Sequence, residues 1–152
     1  MMDINILIAE DHTLTATLLA TLLSAKEGYK VAGIASNGYS VLDFLTKHPI
    51  DLCLLDISMP SLDGIETLEK IVNEFPDVKV LMISGHTEEW VIEKCMKSGA
   101  NGYLTKQSDT EEVFRAIDKI TKGNSYLDKF SSKVLTKLNR NHTQAKVFEE
   151  LS

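Results

Sequence analysis

A doubly wound α/β fold, a mostly parallel sheet with helices on both faces, is predicted for this chain. Three observations predict it. Short runs rich in Ile, Val and Leu alternate with stretches of helical periodicity. Several runs are nearly continuous in apolar residues, as parallel strands buried on both faces require. Glycines and capping residues fall at the borders between the two patterns.

The first strand is expected over Ile4 to Ala9. Leu14, Leu18, Leu19, Leu22 and Leu23 then form one helical stripe, and Gly28 follows where that helix should have ended. Tyr29 to Ile34 is a weaker, edge-like strand, and Val41, Leu42 and Leu45 mark the second helix. Leu52 to Leu55 reads as a buried third strand. Ile65, Leu68, Val72 and Phe75 line the third helix, with Asp63 and Glu66 spaced as its capping box. Val78 to Ile83 is the fourth strand; Ile92, Cys95 and Met96 belong to a fourth helix that Gly99 closes. A brief fifth strand covers Gly102 to Leu104. Val113, Ala116, Ile117 and Ile120 line the fifth helix, with Ser108 and Glu111 as a second capping box and Gly123 at its end. The alternation stops there. Leu127, Phe130, Val134 and Leu138 are spaced for one more amphipathic helix, and Asn139 to Thr143 is a polar break. The expected division is a domain over residues 1–122 and a linker region over 123–152.

Composition fits this reading. The chain has 152 residues, 43% apolar and 25% charged, which is ordinary for a soluble domain with a real core. No apolar run reaches membrane-span length and the N-terminus has no secretory pattern, so the expected location is cytoplasmic, with no membrane partner. Cys53 and Cys95 match no ligand spacing and are expected as small buried apolar groups. The net charge of −6 is uneven: residues 123–152 carry +2, leaving −8 on residues 1–122. An acidic body of that kind repels a phosphate backbone and does not grip nucleic acid by itself.

In an open parallel sheet, sites form beyond the carboxyl ends of the strands. Glu10 and Asp11 follow the first strand, Asp56 the third, Ser84 the fourth and Lys106 the fifth. Converging carboxylates repel unless a cation or protons compensate. An oxygen-only set suits Mg²⁺, which can bridge to a phosphate oxygen. A lysine and a hydroxyl across the cleft add a positive charge and a hydrogen bond. Such a set can receive a phosphoryl group on a carboxylate nucleophile.

The chain resembles the response-regulator receiver family at Ile6 to Asp11, at Leu54 to Gly64 (which contains Asp56, Met59, Pro60 and Asp63), at Ile83 to His86, and at Gly102 to Lys106. The likeness runs from Met1 to about Lys122. It implies the flavodoxin-like strand order 2-1-3-4-5 for five parallel strands. By the same resemblance Asp56 is the phospho-acceptor and Asp11 a direct Mg²⁺ ligand. Glu10 helps through water, and Asp56 with the backbone carbonyl of Ser58 completes the protein ligands. Lys106 contacts the phosphoryl oxygens, Ser84 is the switch hydroxyl and Tyr103 the switch aromatic. Many receivers carry Pro after the lysine, where this chain has Gln107, so no cis peptide is implied there. His86, with Ser58, is expected to affect phosphoryl lifetime in a direction the sequence leaves open.

Ser84 to Glu89, Gly99 to Lys106 and Gly123 to Leu127 are most similar to receivers that precede a LuxR-type helix-turn-helix. That resemblance implies a linker helix, a sensor histidine kinase as partner, homodimerisation on phosphorylation, and DNA contact only through an absent C-terminal domain. The end at Leu151-Ser152 is read as the border before that domain. The implied protein is a regulator of transcription rather than an enzyme, catalysing only its own phosphoryl transfer and dephosphorylation. A stand-alone adaptor or phosphorelay module is the alternative. A flavodoxin is disfavoured because Glu10 and Asp11 occupy the loop that would hold its phosphate. A haloacid-dehalogenase-type phosphatase usually has a second Asp where Ser58 stands.

Taken singly, these residues have blander roles. An aspartate after a strand is more often a turn former or cap, Asp63 is a cap rather than a ligand, and Ser84 alone could cap a turn. His12, His48 and His142 are expected at the surface, and Tyr39 and Trp90 have no assigned role.

Overall fold

Strand residues alternate between the two sides of a sheet, and that alternation sorts the core into two layers. The computed structural model describes residues 3–129 and 131–136. Its elements are β1 (Ile4–Ala9), α1 (Thr13–Ser24), β2 (Tyr29–Ala35), α2 (Gly38–Lys47), β3 (Leu52–Asp56), α3 (Gly64–Glu74), β4 (Lys79–Ser84), α4 (Glu89–Lys97), β5 (Gly102–Thr105), α5 (Thr110–Thr121) and β6 (Tyr126–Leu127). Residues 131–136 are helical. Every strand pair is parallel, in the order β2-β1-β3-β4-β5-β6.

One layer takes Leu7, Cys53, Leu55, Val80, Met82 and Tyr103 from the strands and packs them on α2, α3 and α4. The other takes Ile6, Ile8, Leu52, Leu54, Leu81 and Leu104 and packs them on α1 and α5. The four apolar residues predicted for α5 are all buried. Gly28, Gly99 and Gly123 adopt positive φ where helices end, as predicted. Asp63 caps α3 by accepting the Glu66 N–H at 2.9 Å. Cys53 and Cys95 are buried free thiols, and burial pushes each up to about 12.

Three expectations need correction. Among the described residues the sheet has six strands, not five: Tyr126–Leu127 pairs with Gly102–Tyr103, a two-residue strand too short to leave a periodic signal. The α5 cap is Asp109, whose carboxylate accepts the Glu112 N–H at 2.8 Å; Ser108 turns its hydroxyl to Asp128 instead. The leucines of α1 do not form one buried stripe. Leu23 is buried, whereas Leu14, Leu18 and Leu22, four residues apart, are 74%, 55% and 43% exposed. Of the further helix predicted after Gly123, Leu127 and Val134 pack against the core layer that holds Tyr103, while Phe130, Leu138 and residues 139–152 lie outside the described residues.

Candidate functional site

Because β1, β3, β4 and β5 are neighbours in that order, whatever follows each strand lines one edge of the sheet. Glu10, Asp11, Asp56, Ser84 and Lys106 therefore converge, as their spacing predicted. Carboxylate oxygens of Glu10, Asp11 and Asp56 and a ring nitrogen of His12 all lie within 4.8 Å of one another. Asp56 is 1% exposed and Glu10 3%. Asp56 is held from both sides: the Ser58 N–H donates to its Oδ1 at 3.2 Å, and Lys106 Nζ lies 3.2 Å from its Oδ2. The same ammonium is 3.5 Å from both oxygens of Glu10.

The backbone fixes this geometry. Gly64 opens α3 directly against the end of β3, donating its N–H to Ile57 O at 2.8 Å. A Cβ there would meet Asp56 O at 2.3 Å, so the contact admits only glycine without displacement. On the other side, the Lys106 N–H donates to Ser84 O at 2.8 Å, which ties the lysine to the hydroxyl-bearing strand. No described peptide bond is cis.

Charge balance follows from burial. Burial, reinforced by the Asp56 carboxylate, raises the Glu10 carboxyl above its ordinary value, with His12 and Lys106 opposing. For Lys106 burial acts to lower the ammonium, but Asp56 and Glu10 outweigh it and the net shift is upward. Asp11 Oδ1 is buried and has no hydrogen bond among the described residues. His12 Nδ1 lies 3.3 Å from it, an ion pair only when the imidazole is protonated. A cluster of three carboxylates with one lysine and an orphaned oxygen favours a further cation.

Ser84 is fully buried; its Oγ accepts the His86 N–H at 3.0 Å. Tyr103, also fully buried, donates its hydroxyl to His86 O at 2.7 Å. The aromatic ring thus already fills the interior beside β4. Burial pushes its phenol up to about 12.

The sequence did not reveal three features. His12, exposed as predicted, nonetheless sets its Nδ1 2.9 Å from Glu10 Oε1. His86 Nε2 pairs with Ser58 Oγ at 3.0 Å and its Nδ1 with Glu88 Oε2 at 3.3 Å, bridging two loops. Asp128, counted in the sequence only as tail charge, is 4% exposed and bonds to the β5–α5 junction. The resemblance had paired His86 with Ser58 but gave no contact; the His86–Ser58 and Asp128–Thr105 bonds join segments distant along the chain, and the His12–Glu10 contact depends on how a single loop folds.

The response regulator receiver domain family matches residues 6–118. Response regulator UvrY of Escherichia coli (strain K12) is 36% identical over 124 residues, which are 82% of this chain and 57% of that protein. Transcriptional regulatory protein DegU of Brevibacillus brevis is 31% identical over 124 residues, 82% of this chain and 52% of that protein. The chain thus spans about half the length of the curated relatives it matches. The isolated receiver domain of RcsB from Salmonella enterica serovar Typhimurium, solved with the phosphomimetic BeF3-, superposes with a TM-score of 0.81 over 87% of this chain and 98% of that one. At 21% identity that likeness concerns the fold.

Proposed function

The chain belongs to the response regulator receiver family, and from that premise we propose that it is a phosphorylation-controlled switch whose Asp56 takes a phosphoryl group from a sensor histidine kinase. The observation that carries this reading is the buried Asp56 carboxylate, paired with Lys106 at 3.2 Å and faced by Glu10 and Asp11.

The donor set fits Mg²⁺: carboxylate oxygens only a few ångströms apart, one of them buried and without a hydrogen bond, on groups whose joint ionisation is otherwise unfavourable. Asp11, Asp56 and the Ser58 backbone carbonyl would hold the ion, and Glu10 would reach it through water. When bound it supplies positive charge against the carboxylates and the incoming phosphoryl oxygens.

The residues of the chain do the rest. An Asp56 oxygen forms the new O–P bond as the P–N bond to the kinase histidine breaks, and hydrolysis later returns the carboxylate. Lys106 neutralises charge on the transferred oxygens. The Ser84 hydroxyl leaves the His86 N–H and donates to a phosphoryl oxygen. Tyr103 already lies inside, so the ring needs no large inward swing. Phosphorylation then biases an existing equilibrium. Leu14, Leu18 and Leu22 are exposed on α1, and Leu22 also lines a cavity of about 270 Å³ that reaches Glu10 and Lys106, which supports a protein partner approaching from that side.

Output is read as transcriptional, in line with the relative DegU being a transcriptional regulatory protein, through a LuxR-type DNA-binding domain and dimerisation. The boundary at residue 122 is part of the same reading; the family match ends at 118. Intact-mass measurement with Mg²⁺ and phosphoramidate tests the proposal. The wild type should gain one phosphoryl group and Asp56→Asn none; an equal gain in the Asn variant overturns the assignment.

A further inference from the structure

Asp128 lies outside the acid cluster, in the stretch after α5, and its two carboxylate oxygens serve different elements. Oδ1 accepts the Ser131 N–H at 2.7 Å, three residues on, in the manner of a helix N-cap for the helical residues 131–136. Oδ2 accepts the Thr105 N–H at 2.8 Å, with the Ser108 hydroxyl 3.4 Å away. The Asp128 N–H also donates to Tyr103 O at 3.3 Å. Both ends of β5 that matter to the switch, Tyr103 and the residue before Lys106, are thus bonded to this one aspartate.

The chemistry of the position is selective. A carboxylate presents acceptors on both oxygens. Asn would turn an NH₂ toward one of the two N–H groups, and Ser has a single oxygen on a shorter arm. Burial acts to raise the Asp128 carboxyl, but the donors from Ser131 and Thr105 outweigh it and lower it, so the group stays charged while buried. Apolar contacts run alongside: Leu127, Val134 and Leu135 pack against the layer that contains Tyr103.

We propose that Asp128 is a coupling residue that ties the helix beginning after it to the end of β5, so that phosphoryl occupancy of Asp56 and docking of residues 131–136 alter each other's stability. The proposal rests on the Asp56 reading. Thr105 directly precedes Lys106, and its N–H is held by the carboxylate that caps the helix, while the Lys106 N–H is held by Ser84 O, so a shift of the β5 end on modification reaches the helix cap. Coupling of this kind is reciprocal: whatever the modified site does to the helix, the docked helix does to the site.

The test is hydrogen exchange by mass spectrometry on the full chain, with and without BeF3- and Mg²⁺, for wild type, Asp128→Asn and Asp128→Ser. Serine retains a hydroxyl that can cap the Ser131 N–H but does not replace the second acceptor, so the Ser variant separates capping from coupling. In the wild type, protection should change together in peptides covering 103–107 and 131–136. In Asp128→Ser the first peptide should still respond, while the second keeps its basal protection and loses at least about two thirds of its response. An undiminished response of 131–136 in both variants overturns the proposal, as does a wild type in which only 103–107 responds. A wild type in which neither segment responds overturns the Asp56 reading, and the coupling with it.

Discussion

Replacing Gly64 with alanine tests whether the contact between α3 and β3 positions the phospho-acceptor. A Cβ at this position would lie 2.3 Å from Asp56 O, 2.4 Å from Ile57 Cα and 2.9 Å from the Asp56 carbonyl carbon. Ordinary contact begins at 3.4 Å, and the atoms met are backbone, which cannot rotate aside. The helix start and strand end must therefore separate by about 1 Å, an overpacking that costs about 1–3 kcal/mol. The same movement stretches the 2.8 Å bond from Gly64 N–H to Ile57 O. A buried backbone pair pulled apart adds about 1–3 kcal/mol. A loss of about 2–6 kcal/mol in urea unfolding is expected. Gly85 is the control: it adjoins Ser84, yet a Cβ there meets nothing within 4 Å. Gly85→Ala should stay within about 0.5 kcal/mol of wild type. At a temperature where all three proteins are folded, Gly64→Ala should accept phosphate from phosphoramidate at least about tenfold more slowly, since a 1 Å misplacement of a reacting group can cost about 100-fold. A Gly64→Ala protein as stable and as reactive as wild type would refute the claim that this contact sets the position of Asp56.

Other perturbations follow from the charges. Lys106→Met should lower stability at neutral pH by about 1–3 kcal/mol, because Glu10 and Asp56 lose their shared counter-charge; a deficit that saturating Mg²⁺ does not narrow would show that carboxylate repulsion is not what the lysine offsets. Mg²⁺ at about 100 times its Kd should stabilise the wild type by about 2.7 kcal/mol, or roughly 5–10 °C in Tm, and Asp11→Asn should lose most of that shift in differential scanning fluorimetry. Asp128 is held below its ordinary value of 3.8, so it contributes stability above that pH and loses it as pH falls through the folded value. The stability gap between wild type and Asp128→Asn should therefore be widest near neutrality and shrink in acid; a gap that widens below pH 3.8 contradicts the assignment.

How much could be read in advance depended on distance along the chain. The runs Ile6 to Ile8 and Leu52 to Leu55 are apolar on both sides because helices cover both faces, and that made the parallel sheet legible. Glu10, Asp11, Asp56 and Lys106 were legible because strand ends are where such a sheet builds sites. The α1 leucines misled, because a helix can carry apolar residues round two faces and bury only one. The shift of the α5 cap from Ser108 to Asp109 reflects competition: the Ser108 hydroxyl has a second partner in Asp128, twenty residues on. That contact, the His86–Ser58 bridge and β6 join segments distant in sequence, where no local pattern operates.

The short strand β6 has a consequence for how the protein behaves when cut. Tyr126 N–H donates to Asn101 O at 3.0 Å, and the pairing continues through Tyr103 and Leu127, so the outer rim of β5 is capped by the chain itself. A fragment ending at the family border would leave that rim bare, with unpaired amides open to strand addition from another copy. Sticking of such a trimmed fragment to itself would then report an exposed sheet margin created by the cut, and should be kept apart from any association that follows phosphorylation of the longer chain.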